Sequence, residues 1–189
     1  MKKHYLDEDM LIEDSFRLGV KIFESDFRPT FIVGLWRGGS AVGIYVQECL
    51  QTLGVKTDHI SVRTSYRGLP SYDTLVNEPE SIRIHGTQYL IDNLNAEDRL
   101  LIVDDVFSTG HSVQATVNRL KHQLKRNLPN EIKVATLFSR PNLNKTEFAP
   151  DFCLHETEDW LVFPYELKGL TEAEIQANKP YVAELIRRQ

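Results

Sequence analysis

The chain has 189 residues, of which 41% are hydrophobic and 26% charged, with a formal net charge of −5. That length suits about one domain with a substantial core, and the composition is that of a globular chain, which excludes disordered and fibrous classes. The acidic balance argues against a bulk grip on nucleic acid, no stretch approaches the ~18 uninterrupted apolar residues of a membrane span, and no apolar segment of a signal peptide follows Lys2 and Lys3. Cys49 and Cys153 are too few for a disulfide framework and read as buried free thiols of a cytoplasmic protein.

Residues 9–24 read as a helix with Ile12, Phe16, Gly19 and Phe23 near one face. Phe31 to Leu35 is a short apolar run, read as a buried strand, which Trp36-Arg37-Gly38-Gly39 breaks. A second helix carries Val42, Val46, Cys49 and Leu53 on one stripe and stops at Gly54. Ile60 to Val62 reads as a strand core. Residues 64–81, rich in Ser, Tyr, Gly, Pro and Asp, read as a long mobile loop, of a length uncommon unless functional. Leu100 to Val103 is the strongest strand signal and ends at Asp104-Asp105. A helix opening near Gly110 presents Val113, Val117, Leu120 and Leu124 at helical spacing. Lys133 to Phe138 is a further strand, stopped by Pro141, and Phe152 to Leu154 and Trp160 to Phe163 are shorter candidates. The last helix opens with a capping box, Thr171-Glu172-Ala173-Glu174, and Pro180 is expected to kink or split it. Helix and strand alternate, which predicts one α/β domain over 1–189 built on an open, mainly parallel sheet flanked by helices.

Chemistry concentrates in Leu100 to Val113, LLIVDDVFSTGHSV. A buried strand delivers two carboxylates, a loop of small polar residues follows, and a helix then begins. Ligands of open α/β sheets bind outside the carboxyl ends of the strands. Ser108, Thr109, Gly110, His111 and Ser112 would bring backbone N–H groups and hydroxyls to a helix N-terminus, where partial positive charge favours a phosphate. Carboxylates repel phosphate, but they suit ribose hydroxyls or a hard cation such as Mg²⁺. The residues therefore point to a phosphate, a sugar diol and a metal. An acidic pair at a strand end also occurs in receiver domains. There it follows the first strand, with a phosphoacceptor Asp on a later one, whereas the pair here is in mid-chain and the next strand ends at Ser139-Arg140.

The same stretch resembles the signature of the type I phosphoribosyltransferases, in which two acidic residues precede a Thr-Gly loop. Gly34 to Gly39 resembles that family's pyrophosphate loop, Ser65-Tyr66 the start of its flexible loop, and Phe138 to Pro141 and Trp160 to Glu166 the base-binding segments of its purine branch. The matches run in the family's order from about residue 30 to about 166. The resemblance implies an open twisted sheet with a small hood made by the chain ends. It implies transfer of the phosphoribosyl group from phosphoribosyl pyrophosphate to a 6-oxopurine in a homo-oligomer, dimer or tetramer. By the same resemblance Trp36, Arg37, Gly38 and Gly39 hold pyrophosphate and residues 108–112 the 5′-phosphate. Asp104, Asp105 and Glu166 serve Mg²⁺. Arg140, Trp160 and Leu161 serve the base, and Arg37, Asp104, Asp105 and Ser108 act in catalysis. Two residues depart from the purine pattern: Ser108 stands where an Asp is usual, and Arg140 where a Lys is. The first keeps open a different class of function, a nucleotide-sensing protein with weak or no catalysis.

Overall fold

The computed structural model describes residues 3–66 and 82–188. The chain divides into two compact units, a larger one over residues 12–158 and a smaller one formed by residues 1–11 and 159–189.

The larger unit is built on six strands: β2 (Phe31–Trp36), β3 (Asp58–Tyr66), β4 (Ile82–His85), β5 (Arg99–Phe107), β6 (Glu131–Ser139) and β7 (Phe152–Glu156). Their spatial order is β4-β3-β2-β5-β6-β7, and every pairing is parallel except that of β3 with β4. The central strands read as apolar runs because both of their faces are covered: Ile32, Val33 and Leu100 to Val103 are fully buried. On one side Val33, Leu35, Ile102 and Val134 join Val113, Leu120 and Leu124 in a single core cluster. After β2 the chain moves outward to β3, and after β5 it moves the other way to β6. The carboxyl ends of β2 and β5, adjacent at Gly34 and Val103, therefore flank the crevice where the winding reverses, the usual ligand site of such sheets.

The helices of this unit are α1 (Glu8–Glu24), which begins in the smaller unit, α2 (Gly38–Thr52), α3 (Gln88–Asn93) and α4 (His111–Leu124). The buried stripe of α1 is Leu11, Asp14, Ser15, Leu18, Gly19 and Ile22, one step round from the predicted face, so Phe16 is exposed. Gly19 belongs to both faces: a Cβ there would lie 2.7 Å from Cys49 Cβ, so α1 rests its smallest residue on α2, while the buried Asp14 bonds the His155 ring at 2.7 Å. Leu53 falls outside the buried stripe of α2, at its C-cap, and Gly54 beyond it has φ +87°, as a helix stop requires. Within the segment read as a loop, residues 64–66 continue β3; residues 67–81 lie outside the described residues. The sequence reading also missed β4 and α3, both too short to show a clear period.

The smaller unit holds a two-stranded parallel sheet of β1 (Lys3–Tyr5) and β8 (Trp160–Val162), with Lys3 opposite Trp160. It also holds α5 (Glu172–Asn178) and α6 (Pro180–Arg187). The capping box is formed at Thr171 and Glu174, and Pro180 splits the expected single helix in two. Among the described residues no helix is long and apolar enough to cross a membrane.

Candidate active site

The acidic pair lies inside the strand, with Asp105 two residues short of its end, because β5 runs on to Phe107. Asp104 and Asp105 are half-buried. Local bonds fix both: the Asp105 N–H donates to Asp104 Oδ1 at 3.0 Å and the Val106 N–H to Asp105 Oδ1 at 2.9 Å. Burial, then the Asp105 charge and its hydrogen bond, push the Asp104 carboxyl well above the usual carboxylate range, against a smaller opposing pull from the Asp105 N–H. The pair holds negative charge at a cost, which a cation or a ring of hydroxyl donors would relieve.

Beyond the pair the chain wraps a cavity of ≈ 180 Å³ lined by Asp104, Val106, Phe107, Ser108, Thr109, Gly110, Ser112 and Val113. Gly110 is the N-cap of α4 in the left-handed region, φ +79°, and a Cβ there would lie 2.3 Å from Thr146 Oγ1. Only glycine meets both conditions. The Gln114 N–H makes its intrahelical bond to Gly110 O at 3.0 Å, and the first turn of α4 carries no acidic side chain. The positive end of the helix thus faces the cavity with no acidic side chain of its own first turn, an arrangement suited to a phosphate. His111 contributes its backbone here, with its N–H donating to Thr109 Oγ1 at 3.4 Å. Its ring is buried and outside the cavity lining.

Sequence inspection missed what braces this loop from behind. The Arg140 N–H donates to Phe107 O at 2.8 Å and the Lys145 N–H to Thr109 O at 3.0 Å. Asn144 Oδ1 accepts from the Thr146 N–H and its hydroxyl at 2.9 and 3.1 Å. No spacing in the sequence announces a pairing between segments 30 residues apart.

Across the crevice, Trp36 and Arg37 are exposed at the end of β2, joined by a cis peptide bond. Gly38 and Gly39 open α2 and are buried. A Cβ on Gly34 would lie 2.8 Å from Gly39 O, and one on Gly39 2.3 Å from Val103 O and 2.9 Å from Asp104 Cα. Glycine at both positions lets the Arg37–Gly39 loop touch the acidic strand. Gly39→Ala is therefore expected to cost about 1–3 kcal/mol by overpacking against backbone that cannot yield, roughly 2–12 °C in Tm. Thermal unfolding reads this directly, and a Tm within about a degree of wild type would remove the close approach.

Arg140 is buried and donates from one Nη to Glu158 O at 3.1 Å, so it is not a surface residue. Ser65, on β3, bonds the His85 ring at 2.8 Å through its hydroxyl. Tyr66 ends that strand. Trp160 and Leu161 lie on β8 of the smaller unit, with Trp160 40% exposed. Glu166, also in that unit, accepts the Phe163 N–H at 3.1 Å. Among the described residues no group of three or more His, Cys, Asp or Glu forms a metal cage. Two adjacent hard carboxylates beside a helix N-terminus still fit Mg²⁺, which is typically held by one or two carboxylates plus substrate oxygens.

The phosphoribosyl transferase domain family matches residues 3–168, and the chain belongs to that family. Among solved structures, the fold aligns with a purine phosphoribosyltransferase of Pyrococcus horikoshii (TM-score 0.65, 24% identity, 90% of this chain and 98% of that one). It aligns with the xanthine-guanine-hypoxanthine phosphoribosyltransferase of Helicobacter pylori (TM-score 0.63, 14% identity, 96% and 99%). A hypothetical protein of Neisseria gonorrhoeae with bound ppGpp aligns as well (TM-score 0.70, 15% identity, 97% of each chain). At these identities the likeness establishes the fold, an open α/β sheet of the type I phosphoribosyltransferase kind. No curated protein matches the sequence.

Proposed function

We propose that the protein transfers the 5-phosphoribosyl group from phosphoribosyl pyrophosphate to a 6-oxopurine, releasing pyrophosphate. The observation that carries this reading is the constellation at the point where the winding reverses. Asp104 and Asp105 directly precede a phosphate cradle on α4, with the Arg37–Gly39 loop packed against the same strand.

The cradle of residues 108–112 would anchor the 5′-phosphate through N–H groups and hydroxyls. Asp104 and Asp105 would accept from the ribose hydroxyls, and their charge would favour the positive sugar that develops as pyrophosphate leaves. The exposed Arg37 guanidinium would meet the leaving charge. Mg²⁺, held by Asp104 and Asp105, would supply further neutralisation of the pyrophosphate oxygens. Arg140 would donate to the 6-oxo group. The family resemblance assigns the purine ring to Trp160 and Leu161, and the free thiols support a cytoplasmic location.

The test is turnover with phosphoribosyl pyrophosphate, Mg²⁺ and each of hypoxanthine, guanine, xanthine and adenine. A guanidinium opposite an amino group leaves a buried donor unpaired, at about 1–3 kcal/mol. Oxopurines are therefore expected to exceed adenine in kcat/KM by at least ~5-fold. Equal use of adenine and hypoxanthine would remove Arg140 from base recognition.

A second reading, that the pocket senses a nucleotide without fast catalysis, is supported by Ser108 and by the ppGpp-bound Neisseria neighbour. Tight nucleotide binding with no turnover of any purine would select it.

A further inference from the structure

Lys179 is a buried lysine outside the reaction centre. Its position follows from its neighbour. Pro180 has no N–H to continue a helix, and its ring disfavours helical geometry in the residue before it. Lys179 accordingly stands at φ −139°, ψ 56°, as the C-cap of α5 and the N-cap of α6 at once. The break directs its side chain to the turn that follows β8. There the ammonium donates to Phe163 O and Pro164 O, both at 2.8 Å. Phe163 O also accepts the Glu166 N–H at 3.0 Å, and Glu166 Oε2 returns a bond to the Phe163 N–H. The Phe163 and Tyr165 rings stack at 5.4 Å, 9° from parallel.

A buried ammonium is costly unless its donors are satisfied. Burial lowers the Lys179 pKa, and the Glu166 charge opposes that shift. The ammonium ties together two successive carbonyls of the turn over residues 163–166, the turn that Glu166 closes on its other side. This segment directly continues β8, which carries Trp160 and Leu161.

We propose that Lys179 is a positioning residue that fixes the 160–166 segment as the platform for the purine ring. The proposal rests on the assignment of the base to Trp160 and Leu161 made above. It also gives Glu166 a role independent of a metal: its carboxylate closes the turn that the ammonium holds.

The experiment compares wild type with Lys179→Met, which keeps the length of the side chain and removes its donors, and with Lys179→Arg, which keeps donors. Two ligands, GMP and ribose 5-phosphate, are titrated calorimetrically with Mg²⁺ present. Hydrogen exchange is followed in peptides covering 160–166 and 100–113. The Met variant should weaken GMP at least ~5-fold and leave ribose 5-phosphate within ~2-fold. Exchange should speed up in 160–166 alone. The Arg variant should recover most of the GMP affinity.

Unchanged GMP affinity in the Met variant overturns the proposal. So does equal weakening of both ligands, which would mark a general structural role. If Lys179→Met does not fold, Lys179→Gln against Lys179→Arg decides: equal GMP affinities overturn it, and weaker GMP in Gln alone supports it. A wild-type protein that binds ribose 5-phosphate but no GMP overturns the purine reading itself, an outcome distinct from the others.

Discussion

Replacing Asp104 and Asp105 together by asparagine is expected to lower turnover by two to three orders of magnitude, a loss comparable to that of a preorganised electrostatic contact. The amides keep the shape of the strand end and one acceptor oxygen each, but lose the charge that favours the positive sugar and holds a metal, and put an NH2 donor where the second acceptor oxygen stood. The cradle at residues 108–112 is untouched, so ribose 5-phosphate should still bind. Turnover within about twofold of wild type would take the pair out of the mechanism.

The same carboxylates should also show their cost. The folded-state pKa of Asp104 is raised by burial and by Asp105, so the folded protein binds that proton more tightly than the unfolded chain does. The penalty for ionising it is absent below the ordinary aspartate range near pH 4. It grows as pH rises toward the raised folded-state value and is complete above it. Without divalent cation, Asp104→Asn should therefore unfold at a higher temperature than wild type at neutral pH, with the gap closing near pH 4. A variant that is more stable and less active is the signature of a site held for function. Equal melting curves at neutral pH would show that the pair is not under electrostatic strain.

How much of this was legible in the sequence depended on whether a residue's role is local. The buried strands could be read because a strand covered on both faces leaves an uninterrupted apolar run, as at Leu100 to Val103. The carboxylate pair and the Ser108–Ser112 loop could be read because strand, loop and helix N-terminus are contiguous. The face of α1 was placed one step off because hydrophobic spacing put Phe16 inside, whereas the buried stripe includes Asp14 and Ser15, polar residues that a hydrophobic count leaves out. The extension of β5 past Asp105 was hidden because the two carboxylates interrupt the apolar run, while the ladder to β6 and the buried Phe107 carry the strand on. The brace from Arg140, Asn144 and Lys145 and the reach of Lys179 to Phe163 are tertiary contacts between residues that look unremarkable in isolation. Pro180 alone announced a break, and nothing in its neighbour's identity said what the break was for.

Ser108→Asp is expected to raise the turnover number for an oxopurine tenfold or more. Ser108 is half-buried and lines the same cavity as Asp104 and Thr109. A hydroxyl accepts a proton poorly at neutral pH, whereas a carboxylate beside the imidazole nitrogens of the base can take or share one. General base catalysis typically contributes ~10²–10⁴-fold, about 2.7–5.5 kcal/mol at the transition state. Against this stands a third negative charge near Asp104 and the phosphate. At roughly 6–8 Å and an effective dielectric between protein surface and water, each such repulsion is worth about 0.5–3 kcal/mol. At mid-range the catalytic contribution, about 4 kcal/mol, exceeds the two repulsions together, about 3 kcal/mol, and bound Mg²⁺ would reduce that sum further, so the net change should be a gain. The KM for phosphoribosyl pyrophosphate should rise by no more than about threefold, the part of the repulsion not screened by salt. Steady-state kinetics of both proteins across pH would resolve the two effects. The added carboxylate should add a further acidic limb to the kcat profile of Ser108→Asp, beyond the one that ionisation of the Asp104–Asp105 pair gives both proteins. A variant that binds the donor yet turns over more slowly than wild type would show that the serine hydroxyl, or a water it orients, already does the work of the base. Absence of turnover in both proteins, with nucleotide binding intact, would instead move the protein to the sensing class that Ser108 kept open.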